Sequence, residues 1–113
     1  MHELSICESL VRTLRDEAAI HSFDRVRLVR LEIGPLAGVE PDALRFSFDV
    51  AARGTLAEDA ALDIVSVPAQ GTCSACGRTT AVERIYDPCP ACGGAPLRLS
   101  GGTELRIKEL EVD

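Results

Sequence analysis

The sequence has 113 residues, 46% of them hydrophobic, with a mean hydropathy of +0.10, enough for one compact domain carrying a smaller module. A formal charge of −6 and only 4% aromatic residues exclude a phosphate-backbone surface or base stacking as the default function, so no nucleic-acid partner is expected. No apolar run approaches the roughly 20 residues of a membrane span, and the charged start lacks the layout of a signal peptide; no membrane association is expected, and the expected compartment is cytoplasmic.

From Leu4 to Ala18 the residues Leu4, Cys7, Leu10, Val11, Leu14 and Ala18 recur at spacings of three and four, which predicts an amphipathic helix. Cys7 falls inside that stripe and is expected to be a buried small apolar group. His21 follows the helix and suits its carboxyl end as a cation. Residues 25–33, RVRLVRLEI, alternate in two phases: Val26 and Leu28 share one parity, and Val29, Leu31 and Ile33 share the other. A strand with a bulge near Leu28–Val29 accounts for the change, since one inserted residue swaps the faces. Pro41 and Asp42 open a second helix, which Arg53-Gly54 close. Leu44, Phe48 and Ala51 are its expected buried face, with Phe46 turned away. LDIVSVP (62–68) predicts a strand ended by Pro68. ELRIKELEV (104–112) predicts the last strand, with Leu105 and Ile107 on one face and a slip before Leu110.

The order helix, strand, helix, strand, strand predicts an α+β fold, a small sheet of about three strands with two helices on one face. Residues 70–98 interrupt it. The expected division is therefore an α+β domain of 1–69 together with 99–113, and an inserted module of 70–98. That module holds three arginines against two acids, so the excess of negative charge belongs to the rest of the chain.

Four of the five cysteines lie in the module as two C-x2-C pairs separated by 12 residues: Cys73, Cys76, Cys89 and Cys92. Two such turns let four thiolates converge on one tetrahedral Zn(II), at about 2.3 Å each. Gly77 after the first pair, and Pro90 and Gly93-Gly94 around the second, suit the tight turns required. TTAVERIY (79–86) is expected to form a hairpin arm. Spacing and flanking residues favour zinc over a redox dithiol pair or an iron–sulfur cluster. With four sulfur ligands the site is closed, hence structural rather than catalytic. A module this poor in large apolar side chains needs the metal in order to fold. No nucleophile–base pair or phosphate loop stands elsewhere, so no enzyme activity is expected.

The chain opens Met-His-Glu. The Met1 amine and the His2 amide nitrogen would close a five-membered chelate ring on a metal. The same amide and the imidazole Nδ1 would close a six-membered one, and Glu3 can supply a fourth donor. Flat nitrogen and oxygen arrays suit Ni(II) and Cu(II). Taken alone, the tripeptide is weak evidence and is better explained by a solvated terminus whose Glu3 favours a helix dipole.

MHELSICESLV, LEIGPLAGVEPDALRFSFDV, the Gly54-Thr55 pair, the two cysteine pairs and the closing LRIKELEV together resemble the HypA/HybF family of hydrogenase nickel-insertion proteins. The resemblance spans nearly the whole chain. It implies a nickel metallochaperone holding Ni(II) at its terminus, with a structural zinc ribbon. It further implies delivery to the [NiFe]-hydrogenase large-subunit precursor with the GTPase HypB, or service to urease maturation proteins. By the same resemblance His2 is the essential nickel ligand, with the Met1 amine and the His2 and Glu3 backbone as companions. Cys73, Cys76, Cys89 and Cys92 would hold zinc. Some relatives place a histidine directly after a cysteine pair; here Gly77 and Gly93 stand there.

Overall fold

A computed structural model gives the fold and describes residues 2–82, 88–94 and 97–113. The chain order is α1 (Glu3–His21), β1 (Val26–Ile33), α2 (Pro41–Ala52), β2 (Ala61–Ser66), β3 (Ala69–Cys73), β4 (Thr79–Val82), β5 (Leu97–Ser100) and β6 (Leu105–Val112). Two three-stranded sheets result, one ordered β2-β1-β6 and the other β4-β3-β5. The fold is α+β, as the pattern predicts, and the second sheet takes in the cysteine stretch, its strands running from Ala69 to Ser100.

Helix α1 buries Cys7, Val11 and Leu14 and leaves Leu4 exposed, so the apolar stripe is narrower at its start than its sequence suggests. Ser22 ends it in the left-handed region, at φ 58°. His21 reaches back to Glu17 at 3.1 Å, one helical turn earlier. Helix α2 starts at Pro41, whose missing N–H costs nothing there. Its buried residues are Leu44, Phe48 and Ala52, spaced by four. The third is Ala52, and Ala51 beside it is half-buried. Phe46 is 72% exposed, on the other side. The two helices pack together, and the Cys7 thiol donates to the Leu44 carbonyl at 3.4 Å.

In β1, Val26, Val29, Leu31 and Ile33 are buried, so the face changes between Val26 and Val29 as the sequence predicts. Strand β6 changes face as well: Leu105, Ile107, Leu110 and Val112 are half-buried, and the residues between them are exposed. Gly34 N donates to Glu104 O at one end of this antiparallel pair, and Asp113 N donates to Arg25 O at the other, both at 2.9 Å. At the latter end Asp24 N also donates to Asp113 O at 2.9 Å, so Asp113 is paired with two successive residues, Asp24 and Arg25. On the other side of β1, Val26 N donates to Leu56 O before β2 begins, and Val67 N to Ile33 O after it ends. Starts align with starts, so β2 runs parallel to β1, with α2 as the crossover.

By density of internal packing the chain divides into two compact units, Met1–Leu31 with Val39–Ile64 and Ile107–Asp113, and Glu32–Gly38 with Val65–Arg106. The first has a core of Cys7, Leu14, Leu31, Leu44 and Phe48. In the second, β3 is the central strand, antiparallel to both neighbours. Its buried positions are Ala69, Gly71 and Cys73, all small. Gly71 is small by necessity: a Cβ there would stand 2.7 Å from Val82 Cγ2 and 3.0 Å from Leu97 Cδ1. Of the expected hairpin arm 79–86, residues 79–82 form β4, and 83–86 lie outside the described residues. The final unit also contains a close approach of Gly34 and Leu36 to Gly102 and Glu104, closed by Leu36 N donating to Gly102 O at 2.6 Å.

Candidate metal centres

Cys73 is the last residue of β3, and the chain turns back at once. Gly77 N donates to Cys73 O at 2.9 Å, and Cys73 N to Arg78 O at 2.9 Å. The second pair repeats the turn, with Gly93 N donating to Cys89 O at 2.7 Å. Gly77 and Gly93 sit at φ 74° and 71°, where a side chain would be strained, so each turn closes on a glycine directly after its second cysteine. Each pair offers a buried first sulfur, Cys73 and Cys89, and an exposed second, Cys76 and Cys92.

The four sulfurs lie within 4.8 Å of one another. Cys73 and Cys92 are 3.6 Å apart, and Cys76 and Cys89 are 3.7 Å apart. A tetrahedron with 2.3 Å zinc–sulfur bonds has edges of about 3.8 Å. The fit to a closed four-thiolate zinc site is good.

The electrostatics point the same way. N–H groups of Cys92 and then Ala91 hold the Cys89 thiol down to about 6, and the Cys76 N–H lowers Cys73. The Arg78 N–H favours the Cys76 thiolate, yet the Cys73 sulfur, burial and the other two sulfurs push that thiol up to about 11. Two sulfurs are thus shifted toward the thiolate while a third resists, because charges this close repel. A divalent cation at the centre removes the conflict.

At the other centre His2 is the N-cap of α1, at φ −83° and ψ −4°, and its carbonyl accepts from Ile6 N at 3.1 Å. Its imidazole makes no capping hydrogen bond and is 55% exposed. Glu3 behaves oppositely. It is buried, and its Oε2 accepts from Glu40 N at 3.5 Å and lies 3.8 Å from His2 Nδ1. Glu40 in turn caps α2, its carboxylate accepting from Asp42 N at 3.2 Å and Ala43 N at 2.6 Å. Met1 lies outside the described residues. Sequence reasoning missed Glu40, since glutamate is not a usual N-cap; its place directly before Pro41 was the signal available.

A family model described as hydrogenase/urease nickel incorporation, metallochaperone, hypA matches residues 1–112. The hydrogenase maturation factor HypA of Alkalilimnicola ehrlichii is 55% identical over 113 residues, all of both chains. The chain belongs to the HypA family. The HypA of Rhodopseudomonas palustris is similar at 49% identity, again over the full length of both. Among solved structures, the solution structure of the Ni metallochaperone HypA from Helicobacter pylori matches with a TM-score of 0.69 at 24% identity, covering 99% of this chain and 97% of that one. At that identity it is the fold that is shared. HypA proteins are metallochaperones and not enzymes. The four-cysteine cluster of this HypA-family chain fits structural zinc. No described helix is long and apolar enough to cross a membrane.

Proposed function

We propose that this protein binds Ni(II) at its amino terminus and passes it to the precursor of the [NiFe]-hydrogenase large subunit. The ligands are the Met1 amine, the His2 amide nitrogen and Nδ1, and a backbone donor of Glu3. One observation carries the reading: His2 heads α1 with its imidazole in solvent, while Glu3 beside it is tucked against the start of α2. The first amides of a helix have no intrahelical acceptor, so the His2 N–H can be given up to a metal without breaking the ladder. Nickel held there is cargo. Exposed ligands can be exchanged one at a time for a recipient's thiolates, which a buried cage would prevent.

In the same reading the domain of 1–69 with 99–113 carries nickel, and the module of 70–98 carries structural Zn(II) on Cys73, Cys76, Cys89 and Cys92. The chain has no phosphate loop, so nucleotide hydrolysis falls to a partner, the GTPase HypB. Urease maturation proteins are the alternative recipients, because the family description names both enzymes.

Nickel titration of untagged, zinc-loaded protein tests this. About one strong site per chain is expected, lost both in His2→Ala and when residues are added before Met1. Undiminished nickel binding by the extended form would overturn the assignment. A pull-down with nickel present, assayed for a GTPase and for the hydrogenase or urease apoprotein, separates the recipients.

A further inference from the structure

Phe46 is 72% exposed and Val50 37% exposed, one turn apart on α2. Single apolar side chains in solvent are ordinary and need no partner. Ile20, 70% exposed on α1, is of that kind, with Asp16 and Glu17 as its neighbours one turn back. Phe46 differs in three ways. The chain has four aromatic residues, and among the described ones only Phe46 stands in solvent, Phe48 being buried and Phe23 half-buried. Val50 extends the ring into a strip, since residues four apart share a face of a helix. Asp42, four residues before the ring, and Asp49, three after it, flank the strip; both are exposed, and neither is in an ion pair among the described residues.

The helix itself does not account for both acids. Asp42 in the first turn suits the dipole, but Asp49 lies in the last turn, where a negative charge is unfavourable and no basic residue shares the turn. Arg45 donates to the Leu62 carbonyl of β2, and Arg53, the C-cap two turns from the ring, is ion-paired with neither acid. The wider field has the same sign. The unit of Met1–Leu31, Val39–Ile64 and Ile107–Asp113 holds fourteen acids against eight bases, and the other unit four against four, so all of the −6 belongs to the unit carrying the strip. Such a surface steers and selects a basic partner. A ring with an apolar neighbour fits a slot, and the acids fit lysine or arginine on its rim.

The place of the strip indicates which partner. Phe46 is six residues from Glu40, about 9 Å along the helix axis. The Glu40 N–H is held by Glu3, next to His2. Side chains on a helix lean toward its N-terminus, which brings the ring nearer still. A protein seated on the strip has its own surface beside the terminus, and ligand exchange at His2 needs the recipient's thiolates within bonding reach. We propose that Phe46, Val50, Asp42 and Asp49 form the docking strip for the nickel recipient, the large-subunit precursor, which meets them with an apolar slot rimmed by lysine or arginine. The assignment rests on the terminal nickel site proposed above.

Isothermal titration of the purified, nickel-free large-subunit precursor into the full-length, zinc-loaded protein, with and without nickel, tests the strip. Phe46→Ala should weaken binding about tenfold or more, and Asp49→Arg should weaken it several-fold and make it less sensitive to salt. Thermal melts check that both are folded; should Phe46→Ala fail, Val50→Ser takes its place. Nickel titration separates this proposal from the one beneath it. Phe46→Ala should keep wild-type nickel affinity and lose docking, whereas His2→Ala should lose nickel and keep nickel-free docking. The GTPase is titrated in the same way. Undiminished precursor binding by Phe46→Ala, a wild type that binds the precursor no better than that variant, or a loss confined to the GTPase would overturn the strip. Full nickel binding by His2→Ala, with docking still lost in Phe46→Ala, would overturn the terminal site and leave the strip standing.

Discussion

Glu3 Oε2 accepts from the backbone N–H of Glu40 at 3.5 Å, which ties the first turn of α1 to the cap of α2. A carboxylate beside two helix starts is also well placed against both dipoles. Glu3→Ala removes that acceptor and should lower the thermal midpoint by a few degrees. Glu3→Gln keeps an oxygen facing the Glu40 N–H and should lose less. Thermal melts by circular dichroism rank the two; an alanine variant as stable as wild type would show that the tie contributes nothing.

Phe46 and Phe48 are two residues apart on α2, yet Phe48 is 1% exposed and Phe46 72%. Phe48→Ala deletes a ring from the core with little chance of collapse, so about 3–5 kcal/mol of stability should be lost. Phe46→Ala should fall within about 0.5 kcal/mol of wild type. Urea unfolding of the two variants measures both.

Cys7 is fully buried, and burial, followed by the charge of Glu3, pushes its thiol up from 9.0 to about 11. The folded protein keeps this proton over a range in which the unfolded chain has released it. Stability from this group is therefore unaffected below pH 9 and falls as pH rises from 9 to 11. Comparing urea midpoints at pH 8 and pH 10 should show a steeper fall in wild type than in Cys7→Ala, the other four thiols being common to both. Equal falls would mean that Cys7 titrates as an ordinary thiol.

The helices were legible because their buried faces repeat over several turns: Cys7, Val11 and Leu14, then Leu44 and Phe48. The turnover in β1 and β6 was legible too, from apolar residues that change parity between Val26 and Val29 and between Ile107 and Leu110. The pairing across the strands was not, because a change of parity in one sequence says nothing of which residues it faces on the neighbouring strand. Strands β3 and β5 escaped notice for a different reason. AQGTC buries alanine, glycine and cysteine, since Val82 and Leu97 occupy the space that larger side chains would need. A strand whose inward positions must be small carries no apolar alternation. The cysteine spacing marked the sulfur cluster but said nothing of the sheet that brings Cys73 to it.

That sheet should depend on metal. Its described buried side chains are few, chiefly Ala69, Cys73, Val82 and Cys89. Ordering each residue costs about 1–2 kcal/mol of backbone entropy, which such a core cannot offset. Structural zinc contributes on the order of 10–16 kcal/mol in small zinc-finger peptides, ample to close the difference. Removing zinc with a strong chelator at neutral pH should therefore abolish amide protection at Gly71–Cys73 and Thr79–Val82. The helical signal should persist, because Leu14, Leu31, Leu44 and Phe48 form a core containing no metal ligand. Cys89→Ser should reproduce the effect without chelator, as it removes the sulfur that the Cys92 and Ala91 N–H groups hold as an anion. Protection at Gly71–Cys73 unchanged in metal-free protein would mean that the β4-β3-β5 sheet stands by backbone pairing alone and the four thiols are not what holds it.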